Sequence, residues 1–290
     1  MTAEILELGV DDSQPQIVGD RGVNAISENE RQLHRPDRHL LVVERGTLLA
    51  RCSCWWNHTA PLDGKRIGAI GHYAASDAAA ASILLARACS VLTEAGCATA
   101  VGPMDGNTWR RYRFIIDRGS VPTFFLEPDN PDEWPLQWSA SGFSPLAQYI
   151  SAANEDIGQQ DPRTGAALSR LTSEGISIRS FDPARAEDEL RRMFRLSLAA
   201  FKDNFLYSPL EEHEFLVQNQ AVLPFAHPDL ILLAERGAEL AGFMFAIADV
   251  LQARRGLEVD TVILKTIAVD TAVAGIGVGC ALMVLVQGAA

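Results

Sequence analysis

The sequence predicts an α/β protein with mixed sheets, built from two similar halves in tandem. Short apolar strand patterns alternate with longer helical patterns along the 290 residues. The strand–turn–strand pattern around Arg45-Gly46 recurs around Arg236-Gly237. An apolar content of 48% supplies enough side chains for two hydrophobic cores.

The first half opens with a polar segment, 1–38, which predicts a loose arrangement with one short strand. Apolar runs after it predict strands. Asp77, as an N-cap, predicts a helix of about 19 residues that ends at Gly96. A second, short helix is expected to end near Gly142. The predicted strands span 40–44, 47–56, 68–74, 98–103, 122–126 and 145–151.

The second half follows residues 152–174, whose polar composition with Gly and Pro predicts a partly helical linker. Asp182-Pro183 predicts the start of one helix, and the capping-box pattern Ser208-Pro209-Leu210-Glu211 predicts the start of another. A last apolar helix is expected from residue 280. The predicted strands span 176–181, 230–234, 240–248 and Val262–Val269.

The two halves repeat the same order of elements. Arg45 and Arg236 are 191 positions apart, and the strand, loop and apolar helix that follow recur at an offset of 195, from Tyr73 to Ala268. We therefore expect domains at 39–151 and 175–290. In the first copy, the residues from Gly96 to Ser151 follow the long helix and carry further predicted elements. In the second copy, the sequence stops within the corresponding helix. The second copy is thus expected to lack its last strands; the alternative is a natural end whose sheet edge another chain covers.

Charge and composition exclude several classes of function. The net charge is −12 and neither half is basic, so no nucleic-acid partner is expected. No apolar run reaches the ~18 residues of a membrane span, and the acidic N-terminus has no signal pattern. The five cysteines and six histidines form no metal-binding spacing. We expect a cytoplasmic protein without a metal, and acidity favours an amine-bearing partner.

A glycine-rich stretch is the strongest local signal for chemistry. Gly275, Gly277 and Gly279 lie between a β-branched strand and an apolar helix, where free backbone N–H groups bind phosphate or pyrophosphate. No Gly-Lys-Ser/Thr of a Walker loop is present. A dinucleotide fingerprint needs G-x-G-x-x-G, and Cys280 occupies its third position. The alternative is a helix start that merely packs closely.

This stretch resembles the cofactor loop of the GNAT acetyltransferases. In that family a strand ending in hydrophobic-x-Val precedes Arg or Gln, two residues, Gly, x, and Gly or Ala. Ile267 and Val269 match the strand end, and Gly277 and Gly279 match the small positions. The order of elements over 176–290 also matches. Ala274 departs from the pattern, which removes a charge-assisted contact but no backbone donor.

The resemblance implies an N-acetyltransferase that transfers an acetyl group from acetyl-CoA to an amine of a small molecule or peptide. The pantetheine would pair with the strand backbone, and the pyrophosphate would lie on the loop amides. The first half looks like a degenerate copy, as in tandem members of the family. The implied cofactor residues are Ile267, Val269, Ala274, Gly275, Ile276, Gly277, Val278, Gly279 and Cys280.

The resemblance implies fewer catalytic residues than cofactor residues. The family often takes its base from a carboxylate on the strand before the loop, so Glu258 and Asp260 are candidates, with solvated side chains as the alternative. The acid, often a tyrosine after the next strand, is expected beyond residue 290. Asn204 and Tyr207, between two helices, are candidates for the acceptor pocket or part of a plain loop.

The first half carries its own polar and aromatic cluster over 102–113. Its candidate substrate residues are Asn107, Trp109, Arg110 and Tyr112. The alternative is an ordered loop in which Trp109 and Tyr112 cover the core. Two functions remain open for the whole chain: acyl transfer, and a non-catalytic module that binds a CoA thioester or a partner protein. The glycine spacing disfavours an NAD-type oxidoreductase.

Overall fold

A computed structural model describes residues 3–19, 22–158 and 164–289. The chain forms two compact units. Unit 1 comprises Met1–Thr123, Glu127–Tyr149 and Phe205–Ser208. Unit 2 comprises Phe124–Leu126, Ile150–Asn204 and Pro209–Ala290. Within the described ranges, every helix is too short or too polar to cross a bilayer.

Unit 1 is a mixed sheet with helices. Its elements are β1 (Glu4–Leu8), β2 (Val18–Gly19), α1 (Glu28–His34), β3 (Arg38–Glu44), β4 (Thr47–Trp55), β5 (Ile67–Ala75), α2 (Ala78–Glu94), β6 (Thr99–Val101) and α3 (Glu133–Ala140). The strand order is β1-β3-β4-β5-β6, with β2 beside β4. The first four strands pair antiparallel, and β6 pairs parallel to β5 after the crossover through α2. The predicted α/β class with a mixed sheet is confirmed.

Helix α2 forms as the sequence predicts. Asp77 accepts a hydrogen bond from the backbone N–H of Ala80 at 2.9 Å, and the helix ends before Gly96, whose φ is +80°. Leu84, Ala88 and Val91 lie one helical turn apart and are buried against the sheet. The helix thereby covers one face of β3, β4 and β5.

Three predictions for unit 1 were wrong. The N-terminal segment forms the short strand that the sequence predicts, β1, which pairs with β3 along five residues, but it also forms helix α1, which a loose arrangement does not predict. No strand forms at 122–126, where Leu126 has a left-handed φ of +65° that a strand excludes. No strand forms at 145–151 either. Leu146 and Tyr149 are not buried against a sheet and are about half exposed.

Unit 2 is an antiparallel sheet with helices. Its elements are α4 (Thr164–Ser173), β7 (Ile176–Ser180), α5 (Ala186–Phe201), α6 (Glu212–Val222), β8 (Ile231–Arg236), β9 (Glu239–Ala248), α7 (Val250–Arg254), β10 (Val262–Val269) and α8 (Val278–Ala289). The strand order is β10-β9-β8-β7. The predicted order of strand, two helices, hairpin, strand, glycine loop and helix is confirmed, with the short α7 added.

The helical part of the predicted linker forms as α4, and Leu171 on it is buried in the core of unit 2 with Leu232 and Leu282. One prediction for unit 2 was wrong. The predicted capping box does not form: α6 begins at Glu212, and Glu211 makes no side-chain cap. Ser208 instead belongs to unit 1, where its carbonyl oxygen accepts the Trp109 indole N–H at 2.9 Å.

The sheets of the two units share one arrangement of four antiparallel strands. The order β1-β3-β4-β5 in unit 1 corresponds to β7-β8-β9-β10 in unit 2. In both units the pairing of the third strand with the fourth contains a register shift. It falls between Arg51 and Ser53 where β4 pairs with β5, and between Leu264 and Thr266 where β10 pairs with β9. A long helix follows the fourth strand in each, α2 and α8.

Candidate functional site

The glycine-rich loop joins the end of β10 to α8. Asp270 accepts the backbone N–H of Ala272 at 2.9 Å and starts a 3₁₀ turn over Thr271–Val273. Gly275 has a φ of +82° and Gly277 a φ of +105°. Side-chain-bearing residues rarely adopt these values, so both positions require glycine. The two turns direct the chain from the strand end into the first turn of α8.

The backbone N–H groups of 275–280 make no hydrogen bond within the described part of the chain. The first N–H groups of a helix carry a partial positive charge and need an acceptor from outside the helix. An anion with several oxygens, such as a pyrophosphate, would satisfy these donors.

Close packing accounts for only part of the glycine pattern. A Cβ at Gly277 would lie 3.2 Å from the Ala167 Cβ, and one at Gly242 would lie 2.8 Å from Val278 Cγ1. A Cβ at Gly279 would meet Ile267 and Val269 at ordinary distances of 3.5 and 3.7 Å. Packing therefore does not require a glycine at 279. The alternative of a helix start that merely packs closely leaves this position unexplained.

Strand β10 has an open edge in the described sheet. It pairs with β9 on one side, with Ile267 opposite Met244 and Val269 opposite Gly242. No described strand pairs with its other side. Ile267 is exposed at this edge. An extended ligand with amide groups would pair with such an edge as an added strand does.

The two candidate bases lie on the loop between α7 and β10. Asp260 is exposed, and its carboxylate accepts hydrogen bonds from Gln252 Nε2 at 2.7 Å and Thr261 Oγ1 at 2.9 Å. These bonds hold the pKa of Asp260 below its ordinary value. Glu258 is exposed on the same loop. Asp260 is thus engaged by its neighbours, and the role of either carboxylate as a base stays a prediction.

The candidate acceptor residues fall in different units. Asn204 ends the α5 region of unit 2, where its backbone N–H donates to the Phe201 carbonyl at 2.9 Å. Tyr207 belongs to unit 1, with its ring 6.0 Å from the ring of Trp109. Their part in an acceptor pocket stays a prediction.

The loop 102–113 of unit 1 is held by its own polar groups. The buried Asn107 side chain accepts the backbone N–H groups of Trp109 and Arg110, at 3.0 and 3.2 Å. The Tyr112 ring packs 5.5 Å from that of Tyr149. These contacts favour the ordered-loop interpretation. Arg110 donates to the carbonyl oxygens of His34 and Asp105.

Three histidines of unit 1 lie close together, although no spacing in the sequence predicts it. His34, His39 and His72 come together in unit 1 through the pairing of β3, β4 and β5 and the placement of α1. One local signal was available: Glu30 and His34 are four residues apart and share a face of α1. The polar composition of 1–38 does not predict a helix, so this spacing does not indicate a shared face from the sequence alone.

No protein-family model and no curated protein matches the chain. Among solved structures, a fungal multi-domain GH3 β-N-acetylglucosaminidase with a GCN5-related glucosamine N-acetyltransferase region has a TM-score of 0.45 at 12% identity, covering 91% of this chain. A GCN5-related N-acetyltransferase from Sphaerobacter thermophilus has a TM-score of 0.38 at 15% identity, covering 86% of this chain. The chain spans only 30% and 66% of these two structures.

A tandem GNAT protein from the clavulanic acid biosynthesis pathway also resembles the chain. Its TM-score is 0.40 at 11% identity, with 99% of this chain and 85% of that one covered. The names of these structures agree with the family that the sequence resembles. Each TM-score is below 0.5, so the assignments below rest on the geometry of the chain itself.

Proposed function

We propose that unit 2 binds acetyl-CoA and transfers its acetyl group to an amine of a small molecule or peptide. The carrying observation is the run of unpaired backbone N–H groups over 275–280, at the start of a helix and beside the open edge of β10. The pyrophosphate would accept hydrogen bonds from these groups. The pantetheine amides would pair with β10 near Ile267 and Val269.

Ala274, at the first position of this anion site, weakens the expected binding of phosphate but does not remove it. Ala274 has no side-chain donor, and its own N–H already donates to the Thr271 carbonyl at 3.2 Å. Binding of the phosphates therefore depends on main-chain donors and on the helix dipole. Since hydrogen bonds to charged groups contribute about 1.5–3 kcal/mol each, several such donors supply a working affinity.

Transfer needs few protein groups. The amine nitrogen attacks the thioester carbonyl carbon, a C–N bond forms, and the C–S bond breaks. The amine loses a proton, for which Glu258 and Asp260 are the candidate acceptors, and the departing thiolate gains one. Asp260, already engaged by Gln252 and Thr261, stays the second candidate.

Unit 1 fits the role of a degenerate copy. Its equivalent helix, α2, is capped by the Asp77 carboxylate, which places a negative charge where the pyrophosphate would lie. The shared order of four strands supports a duplication. Its first copy combines β1 of the N-terminal segment 1–38 with the proposed domain 39–151, and its second copy is the proposed domain 175–290, which follows the linker 152–174.

Calorimetric titration with acetyl-CoA tests the cofactor site, with NADH as a ligand control. Cys280 is exposed in the first turn of α8, so Cys280→Glu adds a charge at the anion site without filling the core. We expect the added carboxylate, which repels the pyrophosphate, to raise the Kd at least ~10-fold, or about 1.4 kcal/mol. Gln287→Glu, a charge of the same sign at the far end of α8, is the matched control.

The outcomes separate the functions. No binding by the wild-type chain, or equal loss in both variants, contradicts the site. Binding with release of free CoA in the presence of an amine supports the transferase. Binding without turnover across an amine panel supports the non-catalytic module instead.

A further inference from the structure

Unit 1 holds a cluster of metal-ligand side chains that its fold assembles from two distant segments. Glu30 and His34 lie one turn apart on α1, and His72 lies on β5. One carboxylate oxygen of Glu30 and one ring nitrogen of each histidine all lie within 4.8 Å of one another. His34 Nδ1 and His72 Nε2 face each other at 2.8 Å.

The orientation of His72 is fixed by a chain of buried hydrogen bonds. His72 Nδ1 lies 2.9 Å from Ser53 Oγ, which lies 2.7 Å from His39 Nδ1. With Nδ1–H donating to Ser53, the lone pair of His72 Nε2 points at His34. A ring nitrogen held by a hydrogen bond on its far side is the arrangement found in metal-binding histidines.

The backbone around both imidazoles is held as well. The His72 N–H donates to the Asp105 carboxylate at 2.5 Å, and its carbonyl accepts from Arg51. The His34 carbonyl accepts the Trp55 indole N–H at 2.8 Å. His72 also has a φ of +49°, a strained conformation that persists where surrounding contacts impose it and that occurs often at functional sites.

Charged side chains of both signs surround the cluster. The guanidinium groups of Arg51, Arg110 and Arg111 act on the two imidazoles electrostatically and would oppose a bound cation. The carboxylates of Glu30 and Asp105 offset them, with Asp105 Oδ2 4.0 Å from His72 Nε2.

We propose that Glu30, His34 and His72 bind a divalent transition-metal ion of the Zn²⁺ and Co²⁺ class. Two imidazole nitrogens and one carboxylate are a donor set that such ions take with one position left open. Glu30 and His34 are partly exposed, so the site is reachable from solvent. The ion would replace the proton shared by His34 and His72 and tie α1 to β5.

Titration of the chelator-treated full chain with Co²⁺ tests the site, followed by visible absorption, with Zn²⁺ as the competitor. The expected result is one ion per chain. Glu30→Gln should weaken binding ~10-fold or more, and His34→Gln should abolish it. His58→Gln, which removes an exposed histidine of the same unit, should bind as the wild type does.

Folding is checked apart from binding. The circular dichroism of each variant without metal should match the wild type, and Zn²⁺ should raise the unfolding temperature of the wild type but not of His34→Gln. Absence of Co²⁺ and Zn²⁺ uptake by the wild type overturns the proposal. So does uptake that survives in both ligand variants or is lost equally in His58→Gln. None of these results depends on acetyl-CoA.

Discussion

The carboxylate of Asp77 accepts a 2.9 Å hydrogen bond from the backbone N–H of Ala80, and so occupies the N-terminus of α2. The corresponding helix of unit 2, α8, begins after Gly277, which has no side chain to do this. The same fold position is thus filled by the protein's own anion in one unit and left open in the other. This difference explains why a cofactor site is proposed in unit 2 alone.

Asp77→Ala is expected to destabilise unit 1 by about 1 kcal/mol, because α2 loses its N-cap. Asp77→Ser keeps a side-chain acceptor and should recover most of this loss. All five tryptophans lie in unit 1, at 55, 56, 109, 134 and 138, so tryptophan fluorescence during urea unfolding reports on this unit. Equal stability of the Ala and Ser variants would contradict the capping role.

The contact between Gly242 and Val278 determines how closely α8 approaches β9. Gly242→Ala would place its Cβ 2.8 Å from Val278 Cγ1 and 3.2 Å from the Ala268 carbonyl oxygen. We expect a loss of about 1–3 kcal/mol of stability in unit 2 from overpacking, together with weaker binding of acetyl-CoA as the helix start moves. Hydrogen exchange of the α8 amides and calorimetry measure the two effects.

The double variant Gly242→Ala/Val278→Ala separates a shifted helix from a general loss of folding. It removes Val278 Cγ1, the nearest atom that the new Cβ meets, so α8 should return toward its position. Acetyl-CoA affinity should then recover relative to Gly242→Ala alone. Failure to recover, with α8 protected from exchange as in the wild type, would show that this contact does not position the site.

The sequence predicts elements well where a local signal and the tertiary environment agree. Strand β10 was predicted with its observed bounds, since Val262–Val269 is β-branched and pairs with β9. Helix α2 was predicted from Asp77 and Gly96. The capping box predicted at Ser208-Pro209-Leu210-Glu211 does not form. A tertiary contact, the hydrogen bond from the Trp109 indole N–H to the Ser208 carbonyl oxygen, outweighs the local pattern there.

The sequence predicts the candidate site of unit 2 but not the side-chain cluster of unit 1. The glycine loop is contiguous, so its spacing could be compared with known anion loops. Glu30 and His72 are 42 positions apart (72 − 30) and meet only through β5 and the docking of α1. A pattern of spacing along the chain does not contain this proximity, which depends on how the strands pair.

A last prediction concerns the ion-pair network between β7, α5 and β8. Glu235 accepts hydrogen bonds from Arg179 at 2.7 Å and from Arg192 at 2.6 Å, beside the fully buried Glu189. The hydrogen bond from Arg179 is the main reason that the pKa of Glu235 lies below its ordinary value of 4.5. Glu235→Gln should therefore destabilise unit 2 at pH 7, by about 1.5–3 kcal/mol for a charged hydrogen-bonded pair.

The sign of the pH dependence follows from the lowered pKa. The charged carboxylate stabilises the folded state above pH 4.5, and this contribution is lost as the pH falls through the lowered folded value. The difference between wild type and Glu235→Gln should thus shrink below pH 4.5. Hydrogen exchange of the β7 and β8 amides measures it, with the exposed Glu239→Gln as control. A difference that stays constant between pH 7 and pH 3 would mean that shape, not charge, makes Glu235 stabilising.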